Sequence, residues 1–201
     1  MTVSTRTSAA VAIACFLVVL GALLALHVLR PEFDPLTHRL SEYAIGRYGF
    51  LMTVAFAVAG LGLLALGHTV WHGVRHTLWI VLACAAMVAA AAADGLMAFF
   101  VADPYGPHAV VTFSGRVHDV LALSHAFCWS VAIGATPLGL FADPKRRRFA
   151  LVSLALSGLV VIGMAVRTFS GLNLLGLTQR LWIGGVLLWS VAHAVALRET
   201  A

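Results

Sequence analysis

Charged side chains are scarce in this chain. Asp, Glu, Lys and Arg make up 10% of its 201 residues, whereas 61% are hydrophobic. Soluble domains carry about 25% charged residues, and the mean hydropathy here is +0.97. A soluble protein can bury one helix of this kind but not six in succession. The composition therefore excludes a soluble protein and predicts an integral membrane protein in contact with the lipid bilayer.

Cysteine is also rare. Cys15, Cys84 and Cys128 each fall inside a predicted span, and no Cys-x-x-Cys pair occurs. This pattern argues against a disulfide and against a structural zinc finger. We interpret the three cysteines as small buried hydrophobic residues.

The net charge of +5 does not predict a nucleic-acid partner, because the basic residues lie between apolar segments. Such placement is typical of residues that orient a protein in the membrane. We therefore expect no nucleic-acid binding.

Six segments are long and apolar enough to cross a bilayer core, which takes about 20 residues. The connections are short, so neighbouring spans should be antiparallel. The sequence predicts an all-α polytopic membrane protein, a single six-transmembrane-helix antiparallel bundle over residues 1–201. The predicted spans are 8–29, 48–67, 77–101, 117–140, 149–169 and 179–197.

The orientation follows from the basic cluster Lys145-Arg146-Arg147-Arg148, which lies between spans four and five. Short loops rich in Lys and Arg stay in the cytoplasm, so both termini are expected to be cytoplasmic in a multi-pass protein of the cell membrane. The apolar run 9–26 is long for a signal peptide and lacks a clear cleavage site. We predict that it is an uncleaved first span.

Asp94 is the acidic residue placed deepest within a predicted span. It precedes Ala102 by eight residues, which corresponds to about 12 Å along a helix. An acid at this depth costs on the order of 3 kcal/mol, so it is expected to have a partner or a function. The predicted partners are His118, Arg116 and Arg180.

His118 and His125 are seven residues apart, about 10 Å along one helix face. They are too far apart for one metal ion to bind both from this helix alone. His118 beside Asp94 or Asp103 is the better candidate for an acid–base pair or for metal ligands, and Asp119 adjoins it. A divalent metal is compatible with these residues but no metal is assigned, and haem held by two of the buried histidines is not expected.

A second group of residues is predicted to line the same extracytoplasmic mouth and to bind a substrate. His125 belongs to it, although it is equally interpreted as a hydrogen-bonded core residue. Arg180 is interpreted either as holding a lipid phosphate or as extending to the surface. The full predicted binding set is Ser41, Glu42, Arg116, His125 and Arg180.

Two functions fit these residues. The first is an intramembrane enzyme acting on a lipid or prenyl-type substrate, with Asp94 or Asp103 as acid or metal ligand and His118 as base or ligand. The second is a non-catalytic membrane protein that binds a lipid or a partner protein through the same mouth. The sequence does not choose between them, and it leaves the oligomeric state open.

Four motifs resemble a bacterial membrane family catalogued as domain of unknown function 998. They are Ser41-Glu42-Tyr43-Ala44-x-Gly46, Asp103-Pro104, His118-Asp119 and Gly176-Leu177-x-x-Arg180. The resemblance covers nearly the whole chain, with the motifs in order at predicted helix ends. It implies a six-helix integral membrane protein and assigns no chemistry.

Overall fold

The computed structural model describes residues 4–105, 110–169 and 174–199. These residues form six α-helices: α1 Thr5–Leu29, α2 Gly49–Gly73, α3 Leu78–Met97, α4 Phe113–Leu140, α5 Arg147–Phe169 and α6 Leu175–Glu199. Two short 3-10 helices, Leu40–Ala44 and Pro144–Arg146, lie in the connections, and the described ranges contain no strand. The predicted all-α class is confirmed.

Five helices of the described chain, namely α1, α2, α3, α4 and α6, are long and apolar enough to cross a membrane. Large apolar side chains remain exposed on the outside, such as Leu24 at 61%, Leu123 at 71% and Leu159 at 63%. Exposed apolar surface of this extent is costly in water and favourable in lipid. These helices are consistent with a multi-pass integral membrane protein.

Each predicted span coincides with one helix, but several ends were predicted wrongly. Helix α3 stops at Met97 instead of residue 101, because the backbone N–H of Ala98 bonds both Asp94 O and Leu96 O and tightens the last turn. Helix α4 begins at Phe113 instead of residue 117. There the Thr112 side chain caps it by accepting a hydrogen bond from the N–H of Gly115. The spans were predicted from apolar residues alone, so a helix start that is set by a polar capping residue was missed.

Each helix packs against the next along the chain, and α6 returns to pack against α1 and α2. Small residues allow close packing between α2 and α3. A Cβ on Gly60 would lie 2.9 Å from Ala91 O and 3.4 Å from Asp94 Cβ. Glycine at this position therefore lets α2 approach the segment of α3 that carries Asp94.

The connection between α1 and α2 folds back over one end of the helices. Arg30 is buried and donates to the carbonyls of Ile45 and Arg47, while the N–H of Leu40 bonds Gln179 Oε1 on α6. Gly46 has φ +74°, a left-handed conformation that favours glycine. The 3-10 helix Leu40–Ala44 packs against α2 and α6.

Candidate functional site

A cavity of about 330 Å³ lies beneath this connection. Helices α2, α3, α4 and α6 form its walls, and we call it the main cavity. It is lined by Arg39, Leu40, Ser41, Met52, Phe56, Asp94, Met97, His118, Asp119, Ala122, Leu123, His125, Ala126, Leu175, Gln179, Trp182 and Ile183. Of the predicted site residues, it brings together Ser41, Asp94, His118, Asp119 and His125.

Asp94 contacts His125 in the wall of the main cavity. Its Oδ1 lies 3.1 Å from His125 Nδ1, and only 2% of Asp94 is exposed. The contact has ion-pair distance without the alignment of a hydrogen bond, since His125 Nδ1 has no hydrogen-bond partner. The predicted partners of Asp94, which were His118, Arg116 and Arg180, were therefore wrong.

The depth assigned to Asp94 also needs correction. Because α3 ends at Met97, Asp94 lies three residues from the helix end, or about 4.5 Å along the axis instead of 12 Å. Its burial comes from packing instead: Gly60 brings α2 against it, and His125 of α4 lies 3.1 Å from its carboxylate.

His118 occupies a second wall of the main cavity and is 1% exposed. Its Nδ1 lies 2.8 Å from the carbonyl of Phe100, and its ring meets Phe56 edge to face at 5.7 Å. A carbonyl can only accept, so Nδ1 carries the proton. In the neutral imidazole Nε2 is then an acceptor. This arrangement fits either a ligand-binding acceptor or a base.

Arg39 and Asp119 close the rim of the main cavity. Arg39 Nη1 lies 3.1 Å from Asp119 Oδ1, and its Nη2 donates to Asp103 O at 3.0 Å. The guanidinium also lies over the Tyr105 ring, 5.0 Å from its centroid. Asp119, predicted as catalytic, thus pairs with an arginine at the rim.

Two of the predicted acids accept hydrogen bonds from backbone N–H groups and do not line the cavity. Asp103 accepts from the N–H of Thr112 at 2.7 Å and from its hydroxyl at 2.8 Å, at the start of α4. Glu42 accepts from the N–H groups of Arg39 and Tyr105 at 2.6 and 2.8 Å. Their contacts position the rim of the cavity, and neither reaches its interior.

The two arginines predicted to bind a head group are also outside the cavity lining. Arg180 donates to His27 Nε2 at 2.8 Å, to His38 O at 2.7 Å and to the Tyr43 hydroxyl at 3.3 Å. It therefore fastens the α1–α2 connection to α6. Arg116 is exposed on α4, away from the residues that line the cavity.

Four buried side-chain atoms of the described chain have no hydrogen-bond partner, and all four belong to residues that line the main cavity. They are Arg39 Nε, Asp94 Oδ2, His125 Nδ1 and Trp182 Nε1. Native proteins leave few such groups, because each costs about 1–3 kcal/mol. Their concentration around one cavity marks it as the place where a polar partner is needed.

A smaller apolar cavity of about 90 Å³ adjoins the main cavity and extends between α1, α2 and α6. Six residues line both, namely Met52, Phe56, Asp94, His125, Trp182 and Ile183. Asp94, His125 and Trp182 therefore lie where the main cavity, whose lining is partly polar, meets the apolar cavity. A molecule with one polar and one apolar end fits this arrangement.

Sequence reasoning missed Arg39 and Trp182 as site residues, and it missed the Asp94–His125 pair. A signal for the pair was present. Asp94 lies seven residues before the end of predicted span three, and His125 lies eight residues after the start of predicted span four. Adjacent antiparallel spans place such residues at the same depth. For Trp182 the sequence carried no signal, because its unpaired N–H is a property of the packing.

Within the described residues, no group of three His, Cys, Asp or Glu side chains is placed to hold a metal ion. The chemistry available in the main cavity is that of a carboxylate beside an imidazole, a second imidazole, the Ser41 hydroxyl and two N–H donors. Such groups bind and orient a ligand by hydrogen bonds, and they can also move a proton.

No curated protein and no solved structure matches the chain. A family model described as "Protein of unknown function (DUF998)" matches residues 11–196. This range includes every residue that lines the main cavity and the four motifs noted in the sequence. The chain belongs to the DUF998 family of proteins of unknown function.

Proposed function

We propose that this chain is a six-span antiparallel membrane protein that binds a lipid or prenyl-type ligand in the main cavity. Helix α5 would be the sixth span, since it occupies the predicted fifth segment and packs against α4 and α6. The basic cluster 145–148 follows the end of α4, whereas the cavity lies toward the start of α4. With the basic cluster and both termini in the cytoplasm, the cavity faces the extracytoplasmic side.

The observation that carries the proposal is the set of four buried polar atoms around one cavity that have no hydrogen-bond partner within the described chain. Water could pair with some of them, because water fills buried polar sites. Water is a poor occupant of the adjoining cavity, since most of its lining residues are apolar and offer water few hydrogen-bond partners. A ligand with a polar head and an apolar chain supplies hydrogen-bond partners to the four polar atoms and fills the apolar cavity.

The test is to fill the cavity without removing any of its polar groups. Ala122 lines the main cavity on α4, and Val120 lies on the same helix with 66% of its surface exposed. Wild type, Ala122→Phe and the control Val120→Phe are purified in mild detergent, and bound lipids are extracted and quantified by mass spectrometry. We expect wild type and Val120→Phe to retain a stoichiometric lipid and Ala122→Phe to lose it. Equal lipid content in all three would contradict the proposal.

A second candidate, acid–base catalysis on the bound lipid, is favoured by the 3.1 Å contact between Asp94 and His125. A carboxylate that orients an imidazole is a common base arrangement, and Ser41 and His118 line the same cavity. In this account His125→Gln abolishes conversion of membrane lipids by the purified protein while lipid retention persists. Absence of any conversion by wild type would leave binding as the function.

A further inference from the structure

The charges around the main cavity restrict the head group of its ligand. Of its charged lining residues, Arg39 pairs with Asp119, and Asp94 lies beside His125, which is positively charged only when protonated. Arg180 is engaged elsewhere, and Arg116 does not line the cavity. The lining therefore offers no surplus positive charge.

A phosphate head group fits this lining poorly. It carries about −1.5 to −2 charges and would lie beside the carboxylates of Asp94 and Asp119, which line the same cavity. The guanidinium of Arg39 is already bonded through Nη1 to the Asp119 carboxylate and through Nη2 to the Asp103 carbonyl, so its charge is balanced by Asp119. The free-energy cost of removing the phosphate from water would then not be offset by electrostatic attraction to the lining.

An ammonium head group is also a poor match. It donates hydrogen bonds and cannot accept any. Trp182 Nε1 and Arg39 Nε are donors in need of an acceptor, whereas Asp94 Oδ2 needs a donor. A hydroxyl is the smallest uncharged group that both donates and accepts.

We propose that the main cavity binds an uncharged lipid alcohol, a single apolar chain that ends in a hydroxyl. The hydroxyl accepts a hydrogen bond from Trp182 Nε1 and donates one to Asp94 Oδ2, where the main cavity meets the apolar cavity. The carbon chain packs on Met52, Phe56 and Ile183, which line both cavities. This assignment rests on the proposed function, because it names the ligand class of the same cavity.

The test uses three photoactivatable probes that differ only in the head group. Each has a 12-carbon chain with a mid-chain diazirine, and the chains end in a hydroxyl, a phosphate monoester or a methyl group. The full-length protein in nanodiscs is irradiated with each probe, and labelled peptides are located by mass spectrometry. Labelling of residues that line the cavities is thus separated from labelling of the lipid-facing surface.

We expect the alcohol probe to label the cavity lining saturably, and the phosphate and alkane probes to label it about tenfold less, as the loss of one or two buried hydrogen bonds implies. Trp182→Phe should reduce labelling by the alcohol about tenfold. The matched control is Trp189→Phe. Trp189 lies on the same helix and is also buried, but its indole N–H donates to Ser157 Oγ. Labelling in this control should be unchanged.

Each other outcome overturns a different claim. Equal or stronger cavity labelling by the phosphate overturns the assignment of an uncharged head group, while a ligand site remains. Equal labelling by the alkane overturns the role of the hydroxyl. Surface labelling alone with every probe, in wild type and in Ala122→Phe alike, overturns the proposed function itself. Asp94→Asn, which retains the shape of the side chain, provides a second variant for the head-group contact.

Discussion

Two buried polar clusters in this protein use similar residues and differ in whether their polar atoms are paired. The first, which we call the inner cluster, consists of Ser153, Ser157, Trp189 and His193. In it, His193 Nδ1 donates to Trp189 O at 2.7 Å, and its Nε2 accepts from Ser153 Oγ at 2.8 Å. Trp189 Nε1 donates to Ser157 Oγ at 3.3 Å. In the main cavity, by contrast, His125 Nδ1 and Trp182 Nε1 have no hydrogen-bond partner.

The difference separates a structural role from a binding role. The inner cluster is completely packed, since His193 and Trp189 are both 0% exposed and their rings stack at 3.8 Å. A fully paired buried network makes the packing specific and needs no ligand. Four buried atoms around the main cavity have no hydrogen-bond partner within the described chain, and under the proposed function a ligand supplies those partners. A buried histidine in a membrane helix is therefore classified by its partners more than by its burial.

The largest expected effect concerns the inner cluster. His193→Ala removes a ring packed between Trp189 and Phe149 and leaves the Ser153 hydroxyl without its acceptor. Loss of packing and of a buried hydrogen bond should lower the free energy of unfolding by about 3 kcal/mol. Denaturant unfolding in detergent measures this change. Normal stability together with loss of the bound lipid would instead place His193 in the binding site.

A pair of tryptophan variants compares the two clusters directly. Trp189→Phe removes a satisfied N–H and leaves Ser157 with one bond fewer, which should cost about 1–2 kcal/mol. Trp182→Phe removes an N–H that has no partner in the unliganded protein, so its cost should stay below about 1 kcal/mol. Unfolding of lipid-free protein tests the comparison. Equal losses would mean that the Trp182 N–H already has a partner.

The smallest expected effect is at the rim. Asp119→Asn removes the ion pair with Arg39, but 60% of the Asp119 side chain is exposed. Exposed pairs contribute at most about 1 kcal/mol, so the melting temperature should change little. Release of the alcohol probe, followed as a dissociation rate, should become faster because Arg39 loses one of its anchors. A large drop in melting temperature would show that the pair supports the fold as well as the rim.

The sequence predicted the helices well and the site only in part. All six apolar segments became helices, because long apolar runs are a strong and local signal. The ends were less accurate where capping decided them, as with Thr112 before α4. Asp103 and Glu42 were predicted to be functional because both were expected at the same extracytoplasmic mouth as His118, and the structure shows both accepting hydrogen bonds from backbone N–H groups.

The pairing of Asp94 was predicted wrongly for a different reason. Its partner depends on how α3 and α4 are rotated, and the uniformly apolar pattern of these helices does not encode rotation. Counting residues from the predicted span ends would have matched Asp94 with His125, although those ends differ from the observed ends of α3 and α4. The unpaired state of Trp182 and Arg39 arises only from three-dimensional packing, so no sequence pattern could reveal it.

The central claim is that the unpaired atoms around the main cavity await a ligand. A crystal structure of the protein purified with its membrane lipids tests this most directly. We predict elongated density in the main cavity, with its polar end about 3 Å from Trp182 Nε1 or Asp94 Oδ2. Ordered water alone, pairing all four atoms in protein that has kept its lipids, would contradict the account.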